Sequence, residues 1–195
     1  MEKFDSFRSF SIFGKDKRET QQAEWENNLK LSASKIIVSD GGQLAAVGQP
    51  DKGIWIYDAN SGRDLRQLTF KALPETEHSS VAFSARGRLV AFAKTSDAVT
   101  VQEAATGREL YEVKTGHSAA PQRMSFSPGG RFLVTATEPG ASTKAVVNLF
   151  DAANGQFLRD LNGPTDLNDV RVISFSKDER FIGLVGSSKT ISVVD

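Results

Sequence analysis

The sequence predicts an all-β fold of about four successive antiparallel sheets, and two repeated blocks running in one phase carry that prediction. The first block reads IIVSDGGQLAAV from Ile36, VAFSARGRLVAF from Val81, MSFSPGGRFLVT from Met124 and ISFSKDERFIGL from Ile173. Its shared serines, Ser39, Ser84, Ser127 and Ser176, stand 45, 43 and 49 residues apart. That is close to the ~40–45 residues of a repeat unit containing four strands. The second block reads DANSGRDL from Asp58, EAATGREL from Glu103 and DAANGQFL from Asp151, each placing a Gly four residues and a Leu seven residues after its acid.

Each block has a physical reading. In the first, apolar residues alternate (Val81 and Phe83, Met124 and Phe126, Ile173 and Phe175), which is the period of a strand. The four residues that follow, such as Ser127-Pro128-Gly129-Gly130, read as a tight turn in which Pro presets φ and Gly accepts a left-handed conformation. The turn Gly recurs as Gly42, Gly87 and Gly130, but Glu179 takes its place in the fourth copy. A left-handed Glu179 is expected to be strained by roughly 1–2 kcal/mol. The second strand is apolar on both faces, as in Leu89 to Ala93 and Phe181 to Val185, so it needs neighbours above and below.

The third strand carries Ile54 and Ile56, Val99 and Val101, Val147 and Leu149, and Ile191 and Val193, each pair four and two residues before an acid. The fourth is more polar, keeping Leu65 and Leu68, Leu110 and Val113, and Leu158 and Leu161. A decline in hydrophobicity from the second strand to the fourth fits sheets packed radially, with the last strand at the rim. The units so defined span 35–68, 80–113, 122–161 and 172–195, after an extension over 1–34.

On these residues, 36–195 resembles the WD-repeat β-propellers. The family's dipeptide at the end of the third strand stands here as Tyr57-Asp58, Gln102-Glu103, Phe150-Asp151 and Val194-Asp195, with the acid kept and Trp absent. The opening Gly-His pair survives once, as Gly116-His117, with six residues between it and Met124. The resemblance implies a WD-repeat-like β-propeller of about four blades. Its structural blade residues would be His117, Asp58, Glu103, Asp151, Asp195, Gly42, Gly87 and Gly130. The buried polar network of such blades is degenerate here, and in the third copy only His117 with Thr135 or Thr137 could contribute to it.

The blade count is small. A seven-blade ring at ~44 residues per blade needs about 308 residues, against 195. A partial ring is therefore expected, read first as a fragment of a longer ring, then as a ring completed by oligomerisation, then as a small closed ring. The last copy stops at Asp195, before an outer strand. Residues 7–13 (FRSFSIF) could supply one as a latch, although they lie further from Ser39 than the spacing of the other outer strands. Residues 17–29 read as a short helix, with Trp25 and Leu29 on one face and a capping-box spacing between Asp16 and Glu19.

Composition excludes several kinds of chemistry. Lys and Arg number 24 against 24 Asp and Glu, which argues against a nucleic-acid arm or a polybasic membrane anchor. There is no Cys, hence no disulfide, thiolate nucleophile or Cys-based zinc site, and a reducing, cytoplasmic location is the simplest expectation. No apolar run approaches the ~18 residues of a membrane span. Gly-x-Ser-x-Gly elbows, phosphate loops and His-Glu-x-x-His helices are absent. With two His in the chain, His117 reads as the structural blade histidine and His78 as a loop residue. Trp55 reads as a cover for one blade face. Lys15, Lys17 and Arg18, interrupted by Asp16, read as a solvated surface. Phe4, Phe7, Phe10 and Phe13 fit neither a single helical nor a single strand face, and read as an anchor onto the propeller or onto a partner.

Function is expected from architecture. The resemblance implies a non-catalytic scaffold or regulatory module binding a protein or peptide, with no cofactor or metal. The alternatives are a propeller belonging to an enzyme (lactonase-like or peptidase-associated) or an RNA- or ribosome-associated propeller resembling those of translation factors. Loop groups outside the repeated pattern, namely Asp51, Asp97 and Arg123, are the expected partner contacts, and self-association through an incomplete propeller is a further expectation.

Overall fold

A computed structural model describes residues 35–39, 41–49, 53–68, 80–95, 97–116, 120–137, 145–161, 169–186 and 191–195. The latch at 7–13, the helix at 17–29 and the residues Asp51, His78 and His117 lie outside them.

The described residues form four antiparallel sheets, each running outward in chain order. The first contains β1 (Lys35–Val38), β2 (Leu44–Gln49), β3 (Gly53–Asp58) and β4 (Asp64–Leu68). The second contains β5 (Val81–Phe83), β6 (Leu89–Ala93), β7 (Ala98–Glu103) and β8 (Glu109–Lys114). The third contains β9 (Arg123–Phe126), β10 (Phe132–Thr137), β11 (Val146–Asp151) and β12 (Phe157–Asp160). The fourth has three strands, β13 (Val172–Phe175), β14 (Ile182–Val185) and β15 (Ile191–Val194). The first strands of successive sheets touch, β1 to β5, β5 to β9 and β9 to β13. The sheets are therefore blades that meet at their inner strands.

Local chemistry closes each turn in the same way. Between the first and second strands, the hydroxyl of the shared serine accepts the amide of the residue five ahead: Leu44 on Ser39 at 3.0 Å, Leu89 on Ser84 at 2.9 Å, Phe132 on Ser127 at 3.0 Å and Phe181 on Ser176 at 2.9 Å. The residue three after each serine takes positive φ, +67° at Gly42 and Gly87 and +77° at Gly130. Glu179 does so at φ 60°, the strained non-glycine conformation that the sequence predicts. Its carboxylate offsets that strain by bridging blades, accepting the Ser127 hydroxyl and, at 2.6 Å, the Gly129 amide.

The core lies between blades. Ile54, Ile56 and Leu68 of the first pack on Val81, Val90 and Phe92 of the second. Val99, Val101 and Val113 of the second pack on Phe126, Leu133 and Phe150 of the third. Val134, Val147, Leu149 and Leu161 of the third pack on Ile182 and Leu184 of the fourth. The second strands are the most deeply buried, as double-faced apolarity requires.

The outer strands depart from the sequence expectation at one position. Ile56 pairs with Arg66 but Tyr57 with Asp64, Val101 with Tyr111 but Gln102 with Glu109, and Leu149 with Arg159 but Phe150 with Phe157. Leu65, Leu110 and Leu158 are thus the extra residues of three equivalent bulges. Leu110 and Leu158 are consequently exposed, while Leu68, Val113 and Leu161, three residues further on, fill the core.

Among the described residues, two hydroxyls, Thr100 Oγ1 and Thr135 Oγ1, are fully buried without a hydrogen-bond partner. Removing such a group without changing shape relieves a desolvation penalty. Thr100→Val and Thr135→Val are each expected to raise stability by about 1 kcal/mol in chemical denaturation.

A Cβ on Gly87 would stand 2.8 Å from Ser39 Cβ in the neighbouring blade, whereas one on Gly130 meets nothing within 4 Å. Gly87→Val is therefore expected to cost on the order of 3 kcal/mol and Gly130→Val about 1–2 kcal/mol. The ranking of denaturation midpoints checks this.

Candidate functional site

The inner strands wall one cavity of about 500 Å³, to which all four blades contribute. Its lining is as polar as it is apolar, with Val38, Phe83, Met124 and Ile173 beside Ser80, Ser125 and Ser174. Among the described residues, the only charged side chain lining it is Arg123, at the start of β9. Arg123 is held by its own backbone surroundings, Nε donating to the Arg171 carbonyl at 3.2 Å and one terminal nitrogen to the Gln122 carbonyl at 2.9 Å.

The two edges of the blades differ in kind. One carries the serine turns and the acid turns, all tightly bonded. The other carries the second-to-third-strand turns and the connections between blades, where the sequence leaves its repeated pattern. Arg123 and Asp97 both belong to this second edge, and they are not in contact with each other in any bond described. Asp97 Oδ1 accepts the Thr95 hydroxyl at 2.8 Å, and its other oxygen lies 3.8 Å from Lys114 Nζ. These partners, the hydroxyl first, hold the Asp97 carboxyl below the usual carboxylate range. Its main-chain carbonyl accepts the Thr115 amide and hydroxyl, so Asp97 shapes its turn as well as facing solvent.

At the opposite edge the repeated acids act on their own turns. Asp58 Oδ1 accepts the amides of Asn60 and Ser61, and Asp151 Oδ1 that of Ala153. Glu103, one methylene longer, takes the Thr106 hydroxyl at 2.6 Å and the Arg108 guanidinium at 2.5 Å instead. Arg108 above all, with Thr106, holds the Glu103 carboxyl down at about 2. Asp195 pairs with Arg180 at 3.1 Å, which also lowers its pKa.

A contact that the sequence reading did not find joins each acid turn to the preceding blade. Eight residues after each acid, the outer strand presents Arg66, Tyr111 or Arg159. Arg66 donates to the Glu103 main-chain oxygen at 2.8 Å, Tyr111 to that of Ala152 at 2.5 Å and Arg159 to that of Asp195 at 2.6 Å. The bulge sets this geometry by pairing the eighth residue with the core-facing position two before the acid, so that it points at the next blade. Close approach explains the Gly at position four. A Cβ on Gly107 would fall 1.8 Å from Arg66 and one on Gly155 2.5 Å from Tyr111, and both glycines have positive φ. Burial, with Asp151 nearby, pushes the Tyr111 phenol up to about 12.

No family model matches the chain, and no curated protein matches it. Solved structures do. The Kuenenia stuttgartiensis hydrazine synthase aligns with TM-score 0.67 at 16% identity, over 84% of this chain and 46% of that one. The computationally designed Ika4 protein aligns with TM-score 0.63 at 21% identity, over 85% of this chain and 91% of that one. U3-55K aligns with TM-score 0.61 at 20% identity, over 84% of this chain and 52% of that one. The fold is β-propeller-like. This chain spans about half the length of the hydrazine synthase and U3-55K chains. Among the described residues, no cluster of three or more His, Asp or Glu could hold a metal, and no helix is long and apolar enough to cross a membrane.

The shifted groups define a pH profile. Asp58, Asp97, Glu103, Asp178 and Asp195 all have lowered pKa values in the fold. Their contribution is present above the unfolded values near 4 and is lost as pH falls through the folded ones. Melting temperature should hold from pH 7 to about pH 5 and then fall toward pH 2, modestly, since these groups face solvent. Tyr111 acts in the opposite sense: its raised pKa favours the fold below about pH 10, and that contribution fades as pH climbs toward 12. Tyr111→Phe should flatten the alkaline limb, and Glu103→Gln part of the acid limb, in thermal melts across pH.

Proposed function

We propose that this chain is a divergent WD-repeat propeller module that binds a protein or peptide and performs no reaction of its own. The reading of the repeats as WD repeats rests on the acid closing each third strand, the serine turn and the single Gly116-His117 pair. A cytoplasmic setting agrees with the absence of Cys. The single observation that carries the binding role is the axial cavity: four inner strands wall a space lined by apolar and hydroxyl side chains, whose one charged lining group among the described residues is Arg123. Such a concave surface can receive an extended segment with an apolar side chain and an acidic group. Asp97 and Arg123, at the edge of the second-to-third-strand turns, are the proposed contacts, together with Asp51 from the sequence.

Selection of a displayed random-peptide library on the purified chain tests this. Enriched peptides should be apolar with an acidic residue. Their affinity, measured by calorimetry, should fall at least tenfold with Arg123→Ala and further when Asp51→Ala and Asp97→Ala are added, while the melting temperature changes little. Failure to enrich any binder, or peptides whose affinity ignores all three changes, would overturn the assignment.

A further inference from the structure

The residue three places after each shared serine can be compared blade by blade. In the second blade it is Gly87, so close to the first blade that a Cβ would stand 2.8 Å from Ser39 Cβ. In the third it is Gly130, where a Cβ would meet nothing within 4 Å. In the fourth it is Glu179, whose Oε1 accepts both the Ser127 hydroxyl and the Gly129 amide of the third blade. Close contact holds the second blade at this margin, whereas a long side chain reaching across holds the fourth. Gly129 is shaped to that side chain. A Cβ on it would stand 2.7 Å from Glu179 Oε2 and 2.8 Å from Oε1. Gly129 does not take positive φ, so the seat of the carboxylate, and not the backbone, calls for glycine there.

The two inner strands concerned are tied at their other end as well. Arg123 opens β9, and its Nε donates at 3.2 Å to the carbonyl of Arg171, the residue before β13. Glu179 follows β13 by four residues and grips the turn that follows β9. Strands β9 and β13 belong to different sheets and share no ladder of backbone bonds. Their separation is therefore set by side chains, through the packing between them and these two ties. Both strands wall the axial cavity, β9 through Met124 and Ser125, and β13 through Ile173 and Ser174.

We propose that Glu179 is a positioning residue for the axial cavity: seated on Ser127 and Gly129, it holds β13 at the distance from β9 that lets one ligand reach Arg123 and the Ile173 wall together. This role presupposes the peptide-binding reading of the cavity, whereas the geometry rests on bonds between blades alone. Arg123 fixes the edge at which the ligand's acidic group is received, and Glu179 fixes the opposite edge. Without Glu179 the wall is free to swing about the Arg123 tie. A ligand must then order that wall as it binds, and the affinity for its apolar part drops.

The chain contains no Cys, so nitroxide labels on Gln156→Cys and Lys177→Cys, exposed positions on the third and fourth blades, report the distance between those blades by pulsed electron resonance. Circular dichroism checks that each labelled variant folds. Glu179→Gly should lengthen and broaden the distance while the melting temperature changes little, because glycine relieves the strained φ of 60° as the bonds are lost. Gly129→Ala, which displaces the carboxylate without altering Glu179, should do the same, and combining the two should add nothing. Glu179→Gln, whose amide oxygen can accept both donors, should keep the distance short and narrow. Affinity for the selected peptides should fall roughly tenfold with Glu179→Gly or Gly129→Ala and hold with Glu179→Gln. Replacing the peptide's apolar residue by Ala should abolish that dependence. An unchanged distance in Glu179→Gly and Gly129→Ala would overturn the proposal. So would a Gly129→Ala effect that persists in full on top of Glu179→Gly, or a longer distance with unchanged peptide affinity. If no peptide is selected, the binding role fails, and the labelled pair still decides whether Glu179 sets the spacing of the two strands.

Discussion

Everything in this fold depends on a sheet that cannot be left alone. Val90, Ala91, Phe92 and Ala93 of β6 are all inaccessible to solvent, as are Leu133 and Val134 of β10. A strand apolar on both faces is stable only between two other sheets, so each blade exists by virtue of its neighbours. Hydrophobic burial here belongs to junctions, and the three interior junctions bury the same repeat positions with different side chains. Small residues at one position are answered by large ones opposite, as where Ala82 and Ala91 meet Phe126 and Phe150.

Packing sets how closely blades approach, while directional bonds set how they are aligned. At the inner margin Ser39 lies against Gly87, and Glu179 reaches Ser127 and Gly129. At the outer margin Arg66, Tyr111 and Arg159 tie each outer strand to the next acid turn. Each donor satisfies a carbonyl oxygen that would otherwise depend on water. The bonds therefore resist sliding of one blade over another, a motion that burial alone, being non-directional, opposes weakly.

The sequence made the blades legible because their determinants are local. A Ser hydroxyl closing a five-residue loop, a carboxylate capping its own turn and a Gly at positive φ all act within a few residues, and so recur at fixed spacing. The positive φ of Glu179 was readable for that reason, although the two bonds that compensate it come from residues about fifty positions away. The clamp was illegible because Arg, Tyr and Arg share a geometry and a hydrogen-bond donor without sharing a residue type. The bulge hid in plain view: Leu65, Leu110 and Leu158 recur as faithfully as core residues do, yet two of the three face solvent. Of the expected contacts, Arg123 lines the cavity, and Asp97 serves its own turn while facing solvent at the same edge.

The asymmetry between the two edges follows from what each must do. Serine turns, acid turns and clamps all lie at one edge, where several positions are held by a bond or a close contact, as the Cβ positions at Gly87, Gly107 and Gly155 show. At the other edge the connections differ in sequence and length from blade to blade. A binding surface can diversify only where stability does not depend on the residues that change. Arg123, at the start of β9, belongs to that second edge and also lines the cavity walled by the inner strands.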